Sequence, residues 1–158
     1  MKLFLVAAVL FAATTGYAQS YTSALMRQDI KSEKTELMAG SLPLTEKQAQ
    51  VFWPIYRDYD HELSKLADKR LAVAKEVSEK YDTMDAKTAA RLVKESFGIY
   101  QGRNKLLEKY YNKVSKAIGV IPAARFLQVE NQLLTLLDAQ LMDEVPLIKV
   151  KAGGETKK

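Results

Sequence analysis

Apolar residues recur along this chain at three- and four-residue steps, the mark of helices that each bury one face. The clearest run starts at Leu42 and reads Leu-Pro-Leu-Thr-Glu-Lys-Gln-Ala-Gln-Val-Phe-Trp-Pro-Ile-Tyr-Arg-Asp-Tyr, ending at Tyr59. The Thr45 hydroxyl can accept a hydrogen bond from the unpaired amides of a first helical turn. Gln48, three residues on, can return one to the Thr45 backbone, which completes a capping box. Leu44 precedes the cap, where an apolar side chain staples against the first turn. Phe52, Ile55, Tyr56 and Tyr59 then share one face. Pro54 lies too deep to be a first-turn proline and is expected to kink the helix.

The same pattern lays out the rest. Ser23 to Ala39 reads as a first helix on Leu25, Met26, Ile30, Leu37 and Met38, with Gly40 as its stop. Its thin stripe assigns it to the bundle surface. A second helix is expected from Thr45 to about Lys80, its stripe continuing through Leu63, Leu66, Val73 and Val77 to Tyr81. Tyr81 to Asp85 breaks the pattern, and Asp85 or Thr83 can cap the next helix. That third helix, Ala86 to Ile118, turns Leu92, Ser96, Tyr100, Leu107, Tyr110 and Val114 inward. Gly119 ends it. Pro122 opens a fourth as a first-turn proline, with Phe126, Val129, Leu133, Leu137 and Leu141 inside, and Pro146 stops it after Val145. Nothing alternates with the two-residue period of a strand. Two long helices joined by a short break must fold back on each other, because neither can bury its stripe alone. The expected class is all-α: a long antiparallel helical hairpin with two shorter flanking helices.

Length and composition narrow the setting. At 158 residues the chain suits one domain. Met1-Lys2, the apolar run Leu3 to Ala13 and then Gly16-Tyr17-Ala18 have the order of a secretory signal peptide cleaved after Ala18. That run is too short to span a bilayer, which takes about 20 residues. The expected organisation is therefore a signal peptide over 1–18, a helical domain over 19–146 and a frayed basic tail over 147–158. Losing Lys2 with the signal lowers the formal net charge of +5 by one. This mild basicity and the exported address argue against nucleic acid as a partner. The chain has no cysteine, which excludes disulfides, thiol catalysis, thiolate metal sites and a lipidated cysteine.

Leu44-Thr45-Glu46-Lys47-Gln48 matches the LTxxQ motif of the Spy/CpxP family of small periplasmic helical proteins. Phe52-Trp53-Pro54-Ile55-Tyr56, Asp68-Lys69-Arg70, Ala124-Arg125-Phe126-Leu127-Gln128-Val129-Glu130 and Val145-Pro146-Leu147 resemble one large branch of it. Where better-studied members carry a second LTxxQ, this chain has Val120-Ile121-Pro122-Ala123-Ala124. The resemblance implies an ATP-independent chaperone or envelope-stress adaptor in the periplasm, a cradle-shaped homodimer of helical hairpins. It also implies partners among unfolded envelope proteins or a periplasmic sensor domain.

The pattern also marks candidate site residues. Lys105, Lys109, Lys113 and Lys116 recur at four, four and three, on one face of the third helix, offset locally by Glu108. A solvated face accounts for such a stripe. The functional alternative is an attractive surface for acidic or partly unfolded clients, to which Tyr111 and the lysine stems add apolar contact. Trp53, off the main stripe, is either a core contact against the first helix or an exposed anchor, with core preferred. Arg70 and Arg103 fall on or beside apolar stripes and need partners, for which Glu130 and Asp138 are placed. Gly98 and Gly102 form a Gly-x-x-x-Gly, suited to a close helix crossing or to tolerance by chance. His61, the single histidine, could join Asp58 and Glu62 as a weak divalent-metal site, but a paired histidine at helical spacing is missing. No nucleophile–base pair or phosphate loop is evident, so no catalytic residue and no cofactor is expected. The leading expectation is a non-catalytic chaperone, with a signalling adaptor and a metal sensor as rivals.

Overall fold

The structure, a computed structural model, describes residues 32–150. The chain divides into two compact units, 1–41 and 42–158. The expected signal peptide, the first part of the expected first helix and the last eight residues lie outside the described residues. In the first unit residues 32–41 are helical (α1). This helix runs through Gly40 to Ser41, where Gly40 was expected to stop it. Pro43 supplies the reason, because a proline disfavours helical backbone at the residue before it, here Leu42.

The second unit holds α2 (Glu46–Glu79), α3 (Ala86–Ile118) and α4 (Val120–Glu144). No strand occurs among the described residues. The capping box forms as expected: the Gln48 amide donates to Thr45 Oγ1 at 3.3 Å, and the Thr45 amide to Gln48 Oε1 at 3.0 Å. Gln48 Nε2 also donates to the Ile118 carbonyl at 3.3 Å. One side chain therefore closes the start of α2 and satisfies an orphan carbonyl at the end of α3. Asp85, not Thr83, caps α3, accepting from the Thr88 amide at 2.7 Å. Gly119 separates α3 from α4 with φ of 103°, left-handed backbone that favours glycine. Pro122 then sits in the first turn of α4, where its missing N–H breaks no helical hydrogen bond.

Pro54 is exposed, and α2 runs through it. The Gln50 carbonyl that it deprives of a helical donor belongs to an exposed residue, so water can reach it. The opposite side of this segment is aromatic. Phe52, Tyr56 and Tyr59 surround Phe126 of α4, at ring separations of 5.9, 6.2 and 5.6 Å, all close to edge-on. Tyr110 of α3 closes the cluster 5.3 Å from Tyr59. Edge-to-face pairs of this kind add about 0.5–1.5 kcal/mol each to the burial of the rings.

Two inner faces differ from the sequence pattern. On α4 the buried residues are Ala123, Phe126, Glu130 and Leu134, while Leu133, Leu137 and Leu141 are only half-buried and Val129 flanks the stripe. The stripe is rotated because Glu130, fully buried, accepts the Tyr59 hydroxyl at 2.9 Å, so a carboxylate can occupy the inner line. On α3 Ile99 is buried where Ser96 and Tyr100 were expected. Ser96 returns its hydroxyl to the Leu92 carbonyl of its own helix at 2.9 Å.

The Lys149 ammonium pairs with the Asp82 carboxylate of the α2–α3 turn and lies 4.2 Å from the centre of the Tyr81 ring. No helix among the described residues is long and apolar enough to cross a membrane.

Candidate functional site

The hairpin of α2 and α3 has two long faces. One carries α4. The other holds an open groove of about 730 Å³, lined from α2 by Asp58, His61, Glu62, Lys65 and Leu66 and from α3 by Gly102, Lys105, Leu106, Lys109, Tyr110 and Lys113. No residue of α4 lines it. Four-residue steps on α3 put Lys105, Lys109 and Lys113 on one rim, and Glu62 and Lys65 stand across from them on α2. Leu66, Leu106 and Tyr110 supply the apolar floor.

The middle of the groove is tied together. Lys109 Nζ lies 2.7 Å from both Glu62 oxygens, and the Tyr110 hydroxyl donates to Glu62 Oε1 at 2.8 Å. The hydrogen bond from Lys109, then that from Tyr110, holds the Glu62 carboxyl below its ordinary value of 4.5. Burial, reinforced by Glu62, pushes the Tyr110 hydroxyl up to about 12. The Lys109 and Lys113 ammoniums sit 5.0 and 4.7 Å from the centre of the Tyr110 ring. Lys65, Lys105 and Lys113 make no ion pair among the described residues. The groove therefore keeps an uncompensated positive rim above an apolar floor.

The expected lysine stripe is thus divided. Lys105, Lys109 and Lys113 share the groove, whereas Lys116 lies outside it and Tyr111 is half-buried beside it. The aromatic ring of the groove is Tyr110. Lys65, unassigned from sequence, and Leu66, expected on the apolar stripe of the second helix, complete the site. His61 lines the groove, but Glu62 is engaged by Lys109 and Tyr110. Among the described residues no group of three or more histidine, cysteine or acidic side chains is placed to hold a metal.

A second hollow of about 500 Å³ continues along the same seam, sharing Leu66 and adding Lys69, Ala72, Val73, Glu95, Gly98 and Ile99. Arg91 neutralises Glu95 at 2.8 Å. The two glycines of the Gly-x-x-x-Gly separate here. A Cβ at Gly102 would lie 3.2 Å from Leu66 Cδ2, so Gly102 permits the close approach of α2 and α3. A Cβ at Gly98 would meet nothing within 4 Å.

On the opposite face the charged groups meet partners from another helix. Asp138 of α4 pairs through Oδ1 with Arg70 and through Oδ2 with Arg103, the latter at 2.7 Å. The three side chains are 18%, 20% and 21% exposed for Arg70, Asp138 and Arg103, a half-buried network. Arg103 also lies 5.3 Å from the centre of the Tyr100 ring. Glu130, the other expected partner of these arginines, instead takes the Tyr59 hydroxyl, because it lies two turns nearer the aromatic cluster. Burial, then the Glu130 charge, pushes the Tyr56 and Tyr59 hydroxyls far above the ordinary tyrosine value. Leu44 and Trp53 are half-buried, and Trp53 stands edge-on to Phe52 at 5.1 Å and Tyr56 at 5.6 Å. It is neither a core residue nor a free anchor.

Comparisons with family models, with curated proteins and with solved structures found no match to this chain.

Proposed function

We propose that this chain is an exported, non-catalytic binding protein, a periplasmic ATP-independent chaperone of the Spy/CpxP kind that holds partly unfolded envelope proteins. The observation that carries the reading is the open groove between α2 and α3, where Lys65, Lys105 and Lys113 stand without carboxylate partners around Leu66, Leu106 and Tyr110. Such a surface attracts acidic and partly unfolded chains by charge and retains them by burying apolar side chains. Its shallow, open form suits a chain segment better than a compact small molecule, which pockets normally enclose. The LTxxQ stretch contributes by fixing where α2 starts and where it meets α3, through the Gln48 side chain.

The test is suppression of aggregation of two unrelated unfolded proteins, without nucleotide, by the purified protein. Suppression should weaken as salt rises from about 0.05 to 0.5 M, because the Debye length shrinks by about threefold and screens the lysines from an approaching chain. The combined Lys65→Glu, Lys105→Glu and Lys113→Glu variant should lose most suppression while keeping its helical circular dichroism. Undiminished suppression by that variant would remove the groove from the mechanism. Tight binding to one folded partner with no effect on either client would favour the adaptor reading.

A further inference from the structure

The groove and the hollow that continues it are not alike, and the difference specifies what fits. Along α3 they run from Lys113 to Glu95, a length of about 27 Å at 1.5 Å per helical residue. An extended chain covers that distance in about eight residues at 3.3 Å each. At one end Lys65, Lys105, Lys109 and Lys113 face only Asp58 and Glu62, and Glu62 is already bound to Lys109. At the other end Glu95 is neutralised by Arg91, Lys69 is the single lysine, and the remaining walls are Leu66, Ala72, Val73 and Ile99. Gly98 lines this hollow and is exposed, and a Cβ built there would meet no atom within 4 Å, so the α3 side of the seam has an open notch at that residue. Gly102 has no such freedom, because Leu66 fills the space above it.

We propose that this seam binds one extended polypeptide segment of about eight residues, acidic at one end and apolar at the other, whose apolar side chain enters the notch at Gly98. The inference rests on the chaperone reading and adds the length, charge order and anchor point of the client segment. Charge complementarity commits the occupant, since the cationic end gathers four lysines, whereas the notch end has the single Lys69 beside a paired Glu95 and is otherwise aliphatic.

The notch also gives a test in which folding and binding move in opposite directions. Gly98→Leu removes a glycine from a helix interior into open space, so the melting temperature should rise by about 2–4 °C. The same side chain fills the notch and should weaken an apolar-ended segment about tenfold. The probe is a fluorescein-labelled octapeptide with three glutamates at one end and a leucine–phenylalanine pair at the other, followed by anisotropy. Control peptides replace the glutamates by glutamine or the apolar pair by serine. Both controls should bind more weakly than the parent peptide, and only binding of the parent and serine forms should depend strongly on salt. Gly98→Leu should weaken the parent peptide and leave the serine form unchanged.

Equal binding of all three peptides, or undiminished binding to a stabilised Gly98→Leu variant, would overturn the inference. Aggregation suppression that survives in that case leaves the chaperone reading in place. Peptide selectivity as expected, without any suppression of aggregation, would support the groove assignment and overturn the chaperone reading instead.

Discussion

The two faces of the α2–α3 hairpin treat charge in opposite ways. Under α4 the charged groups near the core are engaged by other side chains: Asp138 serves two arginines, and Glu130 takes the Tyr59 hydroxyl through Oε1 among packed rings. On the other face only Lys109 of the rim lysines is paired, and Lys65, Lys105 and Lys113 are left to solvent over an apolar floor. Satisfying buried polar groups is a requirement of folding. Leaving like charges together costs a helix only about 0.2–0.5 kcal/mol per pair, so folding tolerates it but does not require it. The closed face is therefore read as structure and the open face as function.

The closed face should break hardest at its aromatic centre. Phe126 is fully buried between three rings, and Phe126→Ala should cost about 3–5 kcal/mol of stability in urea unfolding. A smaller loss would mean that the cluster is loosely packed.

Alkali should act on the same cluster without a mutation. Tyr56, Tyr59 and Tyr110 have raised values in the folded state, so an unfolded chain loses their protons first. Their contribution is intact below the ordinary value of 10 and is lost as pH climbs through the raised values. At pH 11 each should subtract about 1.4 kcal/mol from stability. The tyrosinate absorbance of these three, out of eight tyrosines in the chain, should therefore appear together with the loss of helix, and ionisation of all eight before unfolding would contradict the burial.

Asp138 is the next lever. Asp138→Ala leaves Arg70 and Arg103 half-buried without their shared carboxylate, at a cost of about 1–2 kcal/mol. Hydrogen exchange should speed up in the second half of α4, which has no fully buried residue after Leu134, while the segment around Phe126 stays protected. Uniform acceleration over α4 would show that the helix opens as one piece.

The smallest effect separates two glycines that look identical in sequence. Gly98→Ala should stabilise by about 0.5–1 kcal/mol, since the new methyl enters open space. Gly102→Ala should gain nothing or lose, because its methyl must displace Leu66 from 3.2 Å. Equal gains at both positions would show that the seam is looser than the contact at Gly102 indicates.

Legibility in the sequence tracked the range of the interaction involved. Helix limits are set by local chemistry, and Thr45 with Gln48, Asp85, Gly119 and Pro146 mark them within one or two residues. Gly40 misled because the stop signal was Pro43, three residues further on. The inner line of α4 was displaced because a periodic reading assigns a carboxylate outside, while Glu130 lies inside and accepts a hydroxyl from 71 positions earlier. The groove was half legible. Its α3 rim is a repeat of lysines at helical spacing, but Lys65 and Leu66 join it only through the register between two helices, which no local pattern encodes. Lys116 was lost for the same reason, since the stripe outruns the groove.

The separation of the two faces is tested most directly by placing a photo-crosslinking benzoylphenylalanine on each in turn. Position 105 lies on the groove rim and position 136 on the outer side of α4, where Leu136 is 62% exposed. With an unfolded client present, the probe at 105 should capture the client and the probe at 136 should not. Equal capture at both positions, or capture at 136 alone, would contradict the assignment of binding to the open face of the hairpin.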